Sequence, residues 1–299
     1  MRNLSVKNFL RFMNKNISYF FQSIVIYFFF IFSKIIGLRL SRILFSKIFI
    51  YFGNMFKSKK IISQNLDKIM PNINNQDKES IINKMWSNYG KTFIEYIYLK
   101  KFKKGNSHIS IKNKRIIDKI VSNNKPVIFI SGHFANYELM SMELTKSNVN
   151  LATIYRPLNN FFLNPFMEYL RKNFICKSQI KKGLPGVKET INYLKKNYCI
   201  ALMVDQRVSE GIKAPFFNNV ALTTSLPAQL AIKYNCEIVP IYISRNIKDN
   251  FEMEIYEPIK FSKEEKNNKL LITKRINVIL EKLILRDPSQ WILTHNRWK

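Results

Sequence analysis

A chain of 299 residues, 46% of them hydrophobic, has room for one sizeable α/β domain plus a short extra element, which excludes a chain too polar to close a core. Forty-nine basic against twenty acidic residues leave a formal charge of +29, which points to anionic partners: nucleic acid, phospholipid headgroups, a phosphorylated substrate or an acidic protein. The three cysteines, Cys176, Cys199 and Cys236, are scattered without C-x-x-C spacing, and Cys199 and Cys236 sit in apolar runs as small core residues would in a reducing compartment.

The first element is an uncharged run, Asn16 to Ser33, which contains Ile24-Val-Ile-Tyr-Phe-Phe-Phe-Ile-Phe32. As a helix it is roughly 27 Å long, enough to cross a hydrocarbon core. No small-residue cleavage site follows, so a removable signal peptide is not expected. Basic residues flank both ends: Arg2, Lys7, Arg11 and Lys15 before, Lys34, Arg39, Arg42 and Lys47 after. The second flank alternates these with Leu38, Leu40, Ile43, Leu44 and Ile48, an amphipathic pattern suited to an anionic membrane surface. Either the first segment spans, or both lie in the interface. The division expected is residues 1–56 as a membrane anchor and 57–299 as the functional domain.

Residues 57–75 read as a polar connection punctuated by Met70-Pro71-Asn72. From Gln76 to about Leu99 apolar residues recur at helical spacing (Ile81, Ile82, Met85, Trp86, Tyr89, Phe93, Ile94, Tyr96, Ile97), and this helix is expected to wall one side of a site. A short strand and a helix are expected within 101–124. Strands then alternate with helices: Val127–Ser131, Leu151–Tyr155, Cys199–Val204, Ile238–Ser244 and Phe251–Tyr256, with helical patterns near 136–146, 161–174, 186–197, 223–235 and 267–285. The order predicts an α/β fold, a mostly parallel central sheet flanked by helices with an N-terminal membrane-associated helical segment.

Chemistry-bearing residues fall at the strand ends, where such sheets keep their sites. In Gly132-His-Phe-Ala-Asn-Tyr-Glu138 a histidine follows a buried strand and a glutamate opens the next helix. On one continuous helix the two side chains would lie about 140° apart, so they meet only if His133 occupies the turn before it. Glu138 is then expected to accept a hydrogen bond from one ring nitrogen, leaving the other as a base for an incoming hydroxyl. Arg156 closes the second strand beside Pro157, and Arg171 ends the following helix; a guanidinium in a cleft binds phosphate or carboxylate, whereas on an open surface it makes an ordinary ion pair. Asp205-Gln206 closes the strand from Cys199, a place where an acid seldom serves packing. Thr223, Thr224 and Ser225 suit a helix cap. The ending, Trp291-Ile-Leu-Thr-His-Asn-Arg-Trp-Lys299, either docks the terminus, the reading preferred here, or binds an anionic headgroup.

These pieces, in this order, resemble the lysophospholipid acyltransferase superfamily, and within it the late (lauroyl and myristoyl) acyltransferases of lipid A biosynthesis. The resemblance runs through Met85-Trp86-x-Asn88-Tyr-Gly90, Gly132-His-x4-Glu138, Tyr155-Arg-Pro157, Asp205-Gln206, Pro215-Phe-Phe217, Thr223-Thr224 and the His-x-Arg-Trp ending. Asn218 stands where the family commonly has glycine, Leu293 where another tryptophan is frequent, and Asn296 where an arginine is frequent. The resemblance implies His133 and Glu138 as the catalytic pair and Arg156, Arg171, Asp205 and Gln206 as substrate-binding groups, with no cofactor and no metal. It implies an acyl carrier protein (or acyl-CoA) thioester as donor, an anionic glycolipid as acceptor, and a bacterial inner-membrane location with the catalytic domain on the cytoplasmic face. Alternatives are an acyltransferase for a lysophospholipid or an aminolipid, a scaffold that has lost activity, and a membrane-tethered nucleic-acid-binding protein. Against the last, the basic residues are spread along the chain and no motif with stacking aromatics accompanies them, so no nucleic-acid partner is expected.

Overall fold

The structure is a computed structural model that describes residues 2–299; the side chains of Arg2, Lys7 and Arg11, part of the basic flank, lie outside what is described. Nine strands are formed among the described residues: β1 (Ile109–Lys112), β2 (Val127–Ser131), β3 (Leu151–Tyr155), β4 (Ser178–Lys181), β5 (Cys199–Met203), β6 (Ile212–Phe216), β7 (Asn219–Thr223), β8 (Glu237–Arg245) and β9 (Phe251–Ile255). Seven make one sheet in the order β1-β9-β8-β2-β5-β3-β4, and β6 and β7 make a separate hairpin. Every pairing in the large sheet is parallel except β8 with β9. The expected α/β fold with a mostly parallel sheet is the one formed. Its centre is β2, buried at every position because helices cover both faces of a parallel sheet and leave no side for water.

Ten helices surround the sheet among the described residues: α1 (Arg2–Phe56), α2 (Lys59–Ile69), α3 (Asn75–Glu95), α4 (Leu99–Lys104), α5 (Arg115–Asn123), α6 (Glu138–Lys146), α7 (Asn164–Leu170), α8 (Leu184–Lys195), α9 (Leu226–Tyr234) and α10 (Lys269–Arg286). The segment 57–75 is not the polar connection expected. It holds α2, whose Ile62, Leu66 and Ile69 recur at helical spacing and are buried. The lysines and asparagines between them diluted the pattern.

Helix α1 is broken at Gly37, whose φ of +79° and ψ of 165° interrupt the helical ladder; a left-handed φ of this kind is open to glycine at little cost. Ser41 Oγ repairs the break by donating to the carbonyls of Gly37 (2.7 Å) and Ser33 (3.1 Å). Beyond the break, α1 packs on α3 through Phe45, Phe49, Trp86 and Phe93. The approach is close because Gly90 has no side chain: a Cβ there would lie 2.2 Å from the Phe45 carbonyl oxygen. Before the break, Ser23, Phe30 and Ser33 face the domain while Phe21, Ile24, Val25, Phe28, Ile31 and Ile35 face outward. The stretch Met13–Met55 is long and apolar enough to cross a membrane, which fits the membrane-associated N-terminal segment expected.

A buried ionic knot ties α1, α3, the turn after β2 and β8 together. Glu95 is fully buried and accepts from Arg42 Nε (2.6 Å), Arg245 Nη2 (3.0 Å) and Asn136 Nδ2 (2.8 Å), with Arg245 Nη1 also against it. Burial opposes the charge on this carboxylate, but the two guanidinium groups outweigh it and hold its pKa below the ordinary value.

Candidate active site

Sheet register builds the site. Ser131 of β2 is paired with Met203 of β5, so the residues two further on, His133 and Asp205, leave the same sheet edge side by side. The carboxylate of Asp205 takes two bonds from His133: Oδ1 is 2.8 Å from Nδ1, and Oδ2 accepts the His133 backbone N–H at 3.0 Å. Oδ2 also accepts the Trp291 indole N–H at 2.7 Å. Burial favours the neutral acid, yet the imidazole and these donors win and hold the Asp205 pKa well below the usual carboxylate range. An ionised acid at Nδ1 fixes the proton on that nitrogen and leaves Nε2 as the basic atom.

This corrects the expected partnership. The hydrogen bond from the His133 ring goes to Asp205, not to Glu138. Glu138 opens α6 and is occupied elsewhere: its Oε1 accepts from Arg171 Nε (2.9 Å), Arg171 Nη2 (2.7 Å) and the Tyr96 hydroxyl (2.9 Å). The physical reason is charge neutralisation. Arg171 and Glu138 are both buried, and a buried guanidinium needs a carboxylate within contact distance. Burial, and then the Glu138 charge, push the Tyr96 hydroxyl well above its usual pKa, so it stays protonated and donates. Asp205 likewise moves from a group expected around the substrate to the partner of the ring.

The turn carrying His133 is held in an uncommon shape. Ala135 has φ of +43°, a conformation that costs a non-glycine residue about 1–2 kcal/mol. Its N–H bonds the Gln290 carbonyl (2.8 Å), its carbonyl accepts from Thr92 Oγ1 (3.2 Å), and the His133 carbonyl receives the Ile292 N–H (3.3 Å). The C-terminal tail therefore pairs with the histidine turn, through Phe134 opposite Trp291. The tail is docked, as preferred from sequence. Arg297 is buried, donates to the Leu222 carbonyl (2.9 Å) and Thr223 Oγ1 (2.7 Å), and has its pKa lowered to about 10 by burial. The tail also completes the site, since Trp291 grips Asp205 and Trp291, Ile292 and His295 line a cavity. Of the hydroxyls proposed as a cap, Thr224 Oγ1 accepts the Leu226 N–H (3.3 Å), whereas Thr223 serves Arg297. In the hairpin loop, Phe217 and Asn218 both take positive φ (49° and 57°). The asparagine thus supplies the left-handed residue such a two-residue turn needs.

Two cavities meet at His133. The larger, about 510 Å³, is mostly apolar and runs between α1 (Ile26, Phe30), α3 (Met85, Tyr89, Phe93) and Met167 of α7. The expectation that the helix from Gln76 walls the site is met here. The smaller, about 300 Å³, is the more polar of the two and carries Glu138, Arg156, Gln179 and Lys182. His133, Tyr137, Leu158, Arg171 and Gln206 line both. All six residues singled out from sequence therefore lie in or directly behind one cleft. The Gln206 amide nitrogen is 3.3 Å from Nδ1 and 3.4 Å from Nε2, alongside the ring. Arg156 is exposed where it lines the smaller cavity and, unlike Arg171, forms no ion pair within 4.0 Å among the described residues. Arg171 Nη1 is buried without a hydrogen-bond partner among the described residues, so it is a donor available to whatever fills the cleft.

Sequence reasoning missed Tyr96, Tyr137, Lys182 and the role of Trp291. Tyr96 stood in the helical pattern as an apolar-face residue, and nothing in one dimension marks its hydroxyl as the partner of Glu138. Among the described residues, no three His, Cys, Asp or Glu side chains gather as a metal-ligating group.

The profile of the family described as bacterial lipid A biosynthesis acyltransferase matches residues 11–299. The chain is similar to lipid A biosynthesis acyltransferase 2 of Shigella flexneri, 22% identical over 244 residues that cover 79% of this chain and 76% of that protein. A match over nearly the whole chain, with a histidine at the mouth of an apolar groove beside an apolar helix, indicates acyl transfer at the inner membrane. The chain belongs to the bacterial lipid A biosynthesis acyltransferase family.

Proposed function

We propose that the protein transfers a fatty acyl chain from a thioester, carried by acyl carrier protein or coenzyme A, to a hydroxyl of a lipid A precursor. The carrying observation is the 2.8 Å contact between His133 Nδ1 and Asp205 Oδ1, which reserves Nε2 for the substrate at the junction of an apolar cavity and a more polar one. Nε2 removes the hydroxyl proton as the oxygen attacks the thioester carbonyl. The tetrahedral oxyanion collapses, the carbon–sulfur bond breaks, and the imidazolium returns its proton to the leaving thiolate. Asp205 steadies the imidazolium between these two transfers. The Gln206 amide and Arg171 Nη1 face the same space as donors for developing negative charge. No step requires a metal ion or a cofactor.

The two cavities sort the substrate by polarity. The apolar groove suits hydrocarbon, and the more polar one, with the cations Arg156 and Lys182 among its lining, suits an anionic sugar or phosphate. Arg171 lines both cavities and is held by Glu138, so in this reading Glu138 acts through Arg171 rather than through the ring. A charge of +29 favours both an acidic carrier protein and a phosphorylated glycolipid. Such substrates put the domain on the cytoplasmic face, with residues 1–56 as its anchor and 57–299 as the catalytic part. The test is mass spectrometry of lipid A from cells with and without the protein: loss of one acyl chain supports the proposal, and an unchanged lipid A profile rejects it.

A further inference from the structure

The loop between β3 and α7 reaches sideways to the apolar N-terminal helix and is fastened there. Asn160, itself buried, donates from Nδ2 to the Tyr19 carbonyl (2.9 Å) and accepts from Ser23 Oγ (3.1 Å). The Tyr27 hydroxyl donates to the Phe162 carbonyl (3.0 Å), and the rings of Phe20 and Phe162 meet edge to face at 5.4 Å. Tyr19, Ser23 and Tyr27 are one helical stripe within the uncharged run of α1, so the loop lies along the stretch that is apolar enough for a bilayer. The tip of the loop presents carbon to the outside: Leu158, Phe161 and Phe162 are 39%, 51% and 36% exposed, and the two phenylalanine rings are 4.2 Å apart.

We propose that this loop, residues 157–163, enters the hydrocarbon of the bilayer beside α1 and forms the lipid-side lip of the active-site groove. Two independent features favour hydrocarbon over water. First, the exposed side chains continue the outward apolar face of α1 (Phe20, Phe21, Ile24, Phe28), making one surface instead of an isolated patch. Second, several polar groups of the loop's irregular backbone are met inside the protein, which lowers the cost of taking that backbone out of water. The Leu158 N–H is taken by Asn164 Oδ1, the Phe162 and Leu163 N–H groups by Asn160 Oδ1, the Asn160 carbonyl by the Asn164 N–H, and the Phe162 carbonyl by Tyr27.

The consequence concerns the substrate. Leu158 lines both cavities, and Asn160 and Leu163 line the apolar one, so a loop in the bilayer opens the groove laterally to lipid. The acceptor then slides its chains in from the membrane without leaving it. This rests on the reading of α1 as membrane-bound, and the experiment separates the two.

Single cysteines at Phe161, at Phe28 on the outward face of α1 and at Ile247, which is fully exposed, would each be spin-labelled in the full-length protein. The three native cysteines are buried and remain unlabelled. In vesicles of phosphatidylethanolamine and phosphatidylglycerol, relaxation by oxygen reports lipid and relaxation by a water-soluble nickel chelate reports water. The expected result is oxygen-dominated relaxation at Phe28 and Phe161 and nickel-dominated relaxation at Ile247. Lipid at Phe28 with water at Phe161 overturns the loop proposal alone, and water at both overturns it together with the membrane reading of α1. Spin–spin broadening at Phe161 means a second copy of the chain covers the patch, which also overturns it. In parallel, Phe161→Ser with Phe162→Ser should lower transfer to an acceptor in vesicles about tenfold or more while leaving transfer in detergent micelles near the parental rate. Equal loss in both assays contradicts it.

Discussion

Asp205 and His133 sit side by side because β5 and β2 are paired in register: each lies two residues past the paired positions Met203 and Ser131, and their side chains meet at 2.8 Å. Glu138, five residues after the histidine, belongs instead to Arg171 and Tyr96. The spacing of the motif thus marks a shared cleft, while the hydrogen bond that sets the tautomer comes from another strand.

If Asp205 fixes that tautomer, Asp205→Asn should lower kcat about 10²- to 10⁴-fold with little change in KM. Circular dichroism of the variant should match the parent. Parental kcat in a folded Asp205→Asn protein would assign the ring's orientation to something else.

The Glu138–Arg171 pair has side chains only 10% and 9% exposed. Arg171→Ala strands a buried carboxylate and is expected to destabilise the fold by about 3–5 kcal/mol. Combining Glu138→Leu with Arg171→Met should restore most of the stability but not the activity. Denaturant unfolding and acyl-transfer assays on the same preparations separate the two effects.

Acid stability should fall in two windows with different owners. His295 lines the cleft with part of its surface open to solvent, and desolvation there, then the His133 charge, lower its pKa from 6.5 to about 4. The unfolded chain therefore takes this proton first, and stability is full above 6.5 and declines as pH falls towards 4. His295→Asn should flatten that decline. Asp205 has a folded pKa below its ordinary 3.8, so its contribution is present above 3.8 and is lost as pH falls further. Trp291→Phe removes one donor from that carboxylate. The stability gap between it and the parent should be widest above 3.8 and narrow below.

Gly90 lets α1 lie on α3, with the Phe45 carbonyl oxygen where a methyl would sit. Gly90→Ala should therefore destabilise by about 1–3 kcal/mol despite the better helix propensity of alanine. Thermal unfolding measures the sign, and a stabilised variant would mean that the α1–α3 contact is looser.

Much of this was readable in one dimension. Val127–Ser131 and Leu151–Tyr155 form strands at the expected residues because each is a run of apolar or β-branched residues closed by a glycine or proline signal. β4 (Ser178–Lys181) escaped because it is four residues long and only Ile180 of it is buried. The β6–β7 hairpin escaped because its turn is Phe217-Asn218, and phenylalanine in a left-handed conformation is no turn signal; the Glu281 carboxylate accepts its N–H and holds it there. The His133–Asp205 pairing was hidden for a different reason. Each residue was recognisable as a strand-end group, but which strands are neighbours is a property of sheet order, and β5 slots between β2 and β3.

The most direct measurement is acyl transfer by purified protein, with an acyl carrier protein thioester as donor and a lipid A precursor as acceptor, comparing the parent with a folded His133→Ala variant by mass spectrometry. The account predicts that the parent adds one acyl chain and the variant adds none. Transfer by His133→Ala at the parental rate would contradict it.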